Sequence, residues 1–363
     1  MIKKVVSLID KLQSTGSLPL EEYKFLIDNR THEVVELVRE RAVTVRKQHY
    51  GDEVFIRGLI EISNICKNDC LYCGIRKGNQ KVVRYRMDAD EIVRRAEMAH
   101  DDGYGNVVLQ SGEIESEENT AFIEGVLVGI HERCGEDFGI TLSLGEQSDG
   151  TYRRWREAGA HRYLLRIETS NPQLYARLHP DGHSWSRRRE CLHSLRRNGY
   201  QVGSGVMCGL PGQTVHDLAA DIEFFAAEDL DMIGMGPYIP HRDTPLGADA
   251  EWTPQIAAGR LELGLRMIAV TRLFLHDVNI AASTALQALA PDGRERGLLA
   301  GANVIMPNVT DVKYRSGYLL YEGKPVGDEN SFGSKDSLER SISAIGEEIV
   351  WNGRGDSPHW RRR

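Results

Sequence analysis

Short apolar runs rich in β-branched residues alternate along this chain with longer segments whose apolar residues recur at helical spacing. The pattern predicts strands at 54–63, 106–111, 139–144, 162–168, 202–207, 232–237, 278–284 and 302–307. Between them it predicts helices over 88–102, 117–134, 185–198, 214–227 and 255–275. Asp88 and Thr214 stand where N-caps belong, and Gly103, Gly159 and Gly199 where helices should stop. Strands alternating with helices imply parallel β/α units, and eight units imply a closed α/β barrel of the (β/α)8 TIM type. The rival architecture is a doubly wound sheet, but no G-x-G-x-x-G fingerprint follows the first strand. Residues 1–53 read as helices capping one end, 54–321 as the barrel, and 322–363 as an extension packed on it.

Barrel active sites lie at the carboxy-terminal ends of the strands, so polar residues ending the runs should converge there. Strand ends carry Gln110-Ser111-Gly112-Glu113, then Thr141, Ser143 and Glu146, then Arg166-Ile167-Glu168-Thr169. Later ends carry Gly209-Leu210-Pro211-Gly212-Gln213-Thr214, Ser283-Thr284 and Met306-Pro307-Asn308. Charges such as Arg166 and Glu168 inside apolar runs are costly unless paired or bound to a ligand; a structural ion pair is the plainer alternative. The glycines serve either as simple turn residues or to let backbone approach a ligand.

The first strand runs directly into Cys66-Lys67-Asn68-Asp69-Cys70-Leu71-Tyr72-Cys73. Thiolates are preferred ligands of iron–sulfur clusters, which normally take four cysteines. Cys66, Cys70 and Cys73 could hold three irons of a four-iron cluster and leave one iron open to a small molecule. A zinc site would want a fourth ligand, and His100 and His131 fall in exposed helical stretches. A disulfide with a spare thiol would suit a secreted protein. However, Met1-Ile2-Lys3-Lys4 opens a charged amphipathic segment and does not resemble a signal peptide. The expected compartment is therefore cytoplasmic, reducing and anaerobic.

Bulk composition narrows the classes further. The 45 basic residues against 53 acidic give a net charge of −8, which argues against a nucleic-acid binder. No apolar run approaches a membrane span. Cys134, Cys191 and Cys208 form no second cluster spacing. Arg361, Arg362 and Arg363 read as a solvated basic end, and Arg354-Gly355-Asp356 as a chance tripeptide.

The cysteine loop, with aromatic Tyr72 before its last cysteine, resembles the signature of radical S-adenosylmethionine (SAM) enzymes. The resemblance implies one [4Fe-4S] cluster whose open iron is chelated by SAM, and SAM cleavage to methionine and a 5′-deoxyadenosyl radical. Longer stretches from about residue 54 to 321 are similar to the [FeFe]-hydrogenase maturases, within the biotin synthase and methylornithine synthase-like group. They are Arg84-Tyr85-Arg86-Met87, Leu109-Gln110-Ser111-Gly112-Glu113, Thr141-Leu142-Ser143-Leu144-Gly145-Glu146, Gly209 to Thr214, Gly236-Pro237-Tyr238-Ile239-Pro240-His241 and Gly301 to Asn308. Carried over by motif, Tyr72, Gln110, Gly112, Glu113, Ser143, Glu168, Arg188 and Met232 would serve SAM. Arg187 and Arg189 compete for the position of Arg188, and Met232 reads equally as barrel core. Thr141, Arg166, Ser283, Thr284, Met306, Tyr318 and Tyr321 match the inner cavity where substrate binds; the tyrosines read otherwise as packing.

Two positions depart from the pattern: Ile167 replaces a histidine carried by some relatives, and Ser283 stands where a Thr-Thr pair is expected. No cysteine follows Cys208, so a second cluster is not expected. The implied role is hydrogenase maturation on a small organometallic iron–cysteine precursor, with other maturation proteins and an electron donor as partners. The competing readings are a methylornithine synthase-like paralogue and, from another class, a cluster-bearing electron carrier or zinc-stabilised structural protein.

Overall fold

The computed structural model describes residues 1–327 and 335–363. Its strands are β1 (Glu53–Ile56), β2 (Gly58–Ser63), β3 (Asn106–Ser111), β4 (Gly139–Ser143), β5 (Arg162–Leu164) and β6 (Gln201–Ser204). They continue with β7 (Met207–Cys208), β8 (Met232–Ile233), β9 (Gly236–Pro237), β10 (Asn279–Ile280), β11 (Val304–Ile305) and β12 (Glu348–Val350). Strands β2, β3, β4, β5, β6, β8 and β10 are neighbours in one parallel sheet. β11 fills the eighth place. It bridges β10 through Ala281 and Val304, and it meets β1 at Phe55↔Val304 and Ile56↔Ile305. The Leu59 amide bonds to Pro307 at 2.8 Å and the Val309 amide to Leu59 at 2.9 Å, which closes the ring onto β2. The expected barrel is present, with β1 and β2 as one strand broken at Arg57.

Regular pairing stops earlier than the apolar runs do. The runs at 202–207 and 232–237 each split in two, and β7 pairs with β9 apart from the main sheet. Glycine explains the split. A Cβ on Gly205 would sit 1.9 Å from the Gly234 carbonyl oxygen, so only two bare backbones pass there. Above this point the strands splay into the loops of the mouth.

The helices are α1 (Ile2–Thr15), α2 (Leu20–Asp28), α3 (His32–Tyr50), α4 (Ala89–Asp101), α5 (Glu117–Cys134) and α6 (Asp149–Glu157). They continue with α7 (Pro172–Leu178), α8 (Trp185–Arg197), α9 (Val215–Ala227) and α10 (Pro254–Phe274). Asp88 caps α4 through the Glu91 amide, and Thr214 caps α9 in a reciprocal box with Asp217. The end of α3 reaches the floor, where the Tyr50 hydroxyl donates to the Asp277 carbonyl at 2.7 Å. α2 packs on α9 and α10, and α1 and α3 on α10, because their buried stripes meet these helices.

The floor of the barrel is closed by the chain's own end. β12 pairs with β1, and residues 353–356 cross beneath the strands. Asn279 donates to the Gly355 carbonyl at 2.8 Å, and Gln201 to the Asp356 carboxylate at 2.5 Å. Arg162, fully buried, reaches both Asp356 and the Arg354 carbonyl. Burial alone would raise the Asp356 pKa, but His161, Arg162 and Gln201 together pull it far below the usual carboxylate range. The supposed chance tripeptide is thus the anchor of the floor. The basic end is likewise docked, not solvated: Arg362 pairs with Asp277, and Arg363 reaches Asp229 at 2.5 Å and Asp231 at 3.2 Å. Its acidic partner is this same chain.

Candidate functional site at the barrel mouth

The cysteine loop leaves β2 at the mouth and is tied down on all sides. The Lys67 amide bonds to the Glu113 carbonyl at 2.7 Å, Leu71 to Leu178 at 2.9 Å and Gly74 to Leu320 at 2.9 Å. Arg84, from the first similarity stretch, clamps it with hydrogen bonds to the carbonyls of Asn64, Ile75 and Arg76 at 2.7, 2.7 and 2.6 Å. A Cβ on Gly112 would stand 2.3 Å from the Ile65 carbonyl oxygen, so the loop seats against the end of β3 only over a glycine. The neighbouring Glu113 amide donates to Cys66 Sγ at 3.3 Å, an interaction suited to a thiolate.

Burial raises the pKa of all three thiols, that of Cys70 to about 12; Cys66 raises Cys70 further, and Cys70 and Cys66 raise Cys73. Uncompensated, three thiolates this close are unfavourable; metal cations reverse that balance, and binding them releases the protons. Among the described residues no three His, Cys, Asp or Glu side chains converge on a single ion. Three thiols set apart on one loop fit a cluster, which takes each thiolate on a different iron.

Around the loop, an ionic web orders the acids and arginines. Arg188, from α8, is buried; its Nε donates to Glu146 at 2.5 Å and its Nη1 to the Arg166 carbonyl at 2.9 Å. Its Nη2 lies 4.0 Å from Glu113. Arg187 and Arg189 are exposed on the same helix, so Arg188 is the arginine of the site. Glu113 Oε2 in turn accepts from the Glu146 amide at 2.8 Å.

Glu168 takes a left-handed backbone, φ 66°, rare for a residue with a side chain. Its Oε2 lies 3.1 Å from Arg166 Nη2 in an ion pair that is not aligned as a hydrogen bond. Burial pushes its pKa up against the pull of Arg166 and Arg188. Backbone strain and a buried carboxylate whose ion pair leaves hydrogen-bonding capacity unused together mark a place prepared for a ligand. Gln110 and Ser143 face each other in the β3–β4 register beside this web, and Gln110 meets the Tyr318 hydroxyl. Tyr72 packs with Leu174, Leu178, Met207, Leu210 and Tyr238 in an apolar cluster at the rim.

Deeper in the barrel, a cavity is lined by Thr141, Leu164, Met306, Ala281 and Val304, with Arg57 and Asn279 beneath. The hydroxyls of Thr141 and Ser283 and the Nε of Arg166 are buried without partners. Tyr318 and Tyr321 come from the segment after β11, and Thr284 opens the short helix that Ser283 precedes. Met232 lines this cavity, its sulfur 3.0 Å from Arg57 Nη1. Of the two departures, Ile167 is buried in the apolar core between sheet and helices, while Ser283 borders Gly236 at the mouth.

Sequence reasoning missed Glu61 and Lys324. Both are buried and paired inside the barrel; Lys324 also donates to the Tyr318 carbonyl at 2.7 Å, and Asn308 to Glu61 at 3.2 Å. A carboxylate inside the apolar run at 54–63 was the available signal.

The superfamily model "Radical SAM superfamily" matches residues 60–225, which include the cysteine loop and the ionic web. The [FeFe] hydrogenase maturase subunit HydE of Thermotoga maritima is 43% identical over 322 residues, 88% of this chain and 89% of that protein. A 3-methylornithine synthase of Methanosarcina barkeri is 28% identical over 84% of this chain and 85% of its own length. In fold, the chain superimposes on a crystal structure of methylornithine synthase with a TM-score of 0.77 at 24% identity, covering 95% of this chain and 98% of that one. The chain therefore belongs to the radical SAM superfamily, whose members use a [4Fe-4S] cluster and SAM, and within it to the family of the maturase HydE.

Proposed function

We propose that this enzyme is an [FeFe]-hydrogenase maturase that acts on a small organometallic iron–cysteine precursor of the hydrogenase active site. The observation that carries the reading is the 43% identity to HydE along nearly the whole of both chains. When bound, the cluster supplies the electron that cleaves SAM to methionine and a 5′-deoxyadenosyl radical. Cys66, Cys70 and Cys73 would hold the cluster. Gly112, Glu113, Gln110, Ser143, Glu168 and Arg188 would hold SAM, with the ring of Tyr72 at its rim.

Thr141, Arg166, Ser283, Thr284, Met306, Tyr318 and Tyr321, with Met232 beneath, would form the substrate chamber. The Arg166 guanidinium suits an anionic ligand, and the unpartnered hydroxyls offer hydrogen bonds the protein itself does not use. Because the chamber lies inside a barrel closed at its floor, a radical formed at the mouth is screened from bulk water. Other maturation proteins and a low-potential electron donor are the proposed partners, and the cytoplasm the proposed compartment. No helix among the described residues is long and apolar enough to cross a membrane.

Anaerobic reconstitution followed by reduction with SAM tests the chemistry: 5′-deoxyadenosine should be released. Deletion of the gene in a host with an [FeFe]-hydrogenase should abolish hydrogenase activity, and an unaffected hydrogenase would overturn the maturase assignment. The methylornithine synthase-like alternative rests on Ser283, beside Gly236 at the mouth; isomerisation of lysine by the reconstituted protein would establish it.

A further inference from the structure

Tyr175 lies on α7, a short helix that none of the strand-end motifs reaches. Its ring stacks on His179, with centroids 3.9 Å apart and 21° between planes, and its carbonyl lies 2.8 Å from His179 Nδ1. The other imidazole nitrogen, Nε2, lies 3.2 Å from the Tyr72 hydroxyl. A carbonyl only accepts, so Nδ1 carries the proton, Nε2 accepts, and Tyr72 is the donor. Burial keeps this imidazole neutral, its pKa lowered to about 3. The Tyr72 hydroxyl is therefore spent inside the protein, and only its ring is left for a ligand.

The Tyr175 hydroxyl is in the opposite state. The residue is 1% exposed, and its hydroxyl oxygen is buried with no hydrogen-bond partner. Arg188, Glu146, Cys70 and Glu168 are the ionisable groups that bear on it, and the Leu71–Leu178 backbone bond stitches its helix to the cysteine loop. A buried phenol without a partner, set among a cluster thiol and the acids and arginine of the web, calls for an acceptor the protein does not supply. We propose that Tyr175 is a direct contact of bound SAM, donating its hydroxyl to an oxygen of that ligand, while Tyr72 offers only its ring. This rests on the family reading of the site.

The test uses full-length protein reconstituted anaerobically as wild type and Tyr175→Phe. SAM affinity is measured by equilibrium dialysis, and the electron paramagnetic resonance spectrum of the reduced cluster is recorded with and without SAM. Tyr175→Phe keeps the ring and its stack, so iron, sulfide and the SAM-free spectrum should match wild type. Its Kd for SAM should rise about tenfold, the usual scale of a lost hydrogen bond to a charged or strongly polar group. Unchanged SAM affinity in Tyr175→Phe, beside a wild type that binds SAM, would overturn this inference alone. A wild type with an intact cluster and no SAM binding would overturn the site reading and the inference with it.

Discussion

At the floor of the barrel, Arg57, Asn106, Arg162, Gln201 and Asn279 each place at least one hydrogen bond into residues 353–356, whereas toward the mouth Thr141 and Ser283 hold buried hydroxyls that bond to nothing. The acids at the two ends differ in the same sense. Asp356 is pulled far below the usual carboxylate range by His161, Arg162 and Gln201, while burial pushes Glu168 up. Both ends put charge out of water. The floor ties its acid to several partners from the chain's own end and contributes stability, even though Arg57, Asn106, Arg162 and Gln201 each keep one or more buried polar atoms without a partner; the mouth leaves whole hydroxyls unbonded and an acid disfavoured, gives up stability and keeps capacity for ligands.

That contrast is tested most sharply by exchanging one residue at each end. Cys70→Ser at the mouth should eliminate the cluster, with loss of its visible absorption, its iron and sulfide content and all 5′-deoxyadenosine release. Chemical denaturation of the metal-free protein should barely change, because the thiol bonds nothing the fold depends on. Asp356→Asn at the floor should do the reverse. It removes the anion from beside a fully buried arginine and should cost about 3 kcal/mol in urea unfolding. SAM cleavage per bound cluster should stay at the wild-type rate. The sign with pH follows: a depressed carboxylate stabilises above its unfolded pKa, and that stability is lost as pH falls through the folded value. Wild type should lose stability in acid, and Asp356→Asn should lose correspondingly less. Equal cluster loss in both variants would erase the distinction between the ends.

Glu168→Gln probes the mouth from the other side. A raised carboxyl binds its proton more tightly folded than unfolded, so its contribution is greatest below the unfolded pKa and fades as pH rises through the folded one. At neutral pH the ionised group is a net burden. The amide should therefore raise the stability of the ligand-free protein, by about 1 kcal/mol, while weakening SAM binding. A thermal melt and a dialysis measurement on the same sample read both effects.

How much of this was legible in advance follows the range of the interactions. The barrel and the caps Asp88 and Thr214 were legible because periodicity and capping are local. The cysteine loop was legible because its ligands sit within eight residues. Strand lengths were overestimated where Gly205 and Gly234 meet, since a glycine in an apolar run does not announce a backbone crossing. α7 is seven residues from Pro172, too short for a periodic signal, and Tyr175 went unnoticed with it. The pair of Glu61 and Lys324 joins positions 263 residues apart, and Asp356 meets Arg162 across 194. No local pattern encodes such partners; a lone charge in an apolar run shows only that some partner must exist.

The docked tail supplies the weakest case on the floor side and sets a lower bound for what self-completion contributes. Arg362 is mostly exposed, at 62% of its side chain, while its partner Asp277 is nearly buried at 7%. Asp277 also has His359 Nδ1 at 3.4 Å, so removing Arg362 does not leave it alone. Arg362→Ala should therefore cost only about 0.5 kcal/mol, a cost that shrinks in high salt as exposed pairs do. The pH window is bounded on both sides. Asp277 is held below its ordinary value despite burial, chiefly by His359 and Arg362, so its share is lost as pH falls. The His359 pKa is raised by its hydrogen bonds to Asp277 and Asp229, so its share is full below the unfolded pKa and lost as pH climbs through the folded one. Stability against pH should show a shallow shoulder in wild type that flattens in the double variant Arg362→Ala/His359→Ala. A loss of several kcal/mol from Arg362→Ala alone would mean that the tail belongs to the floor itself, as Asp356 does.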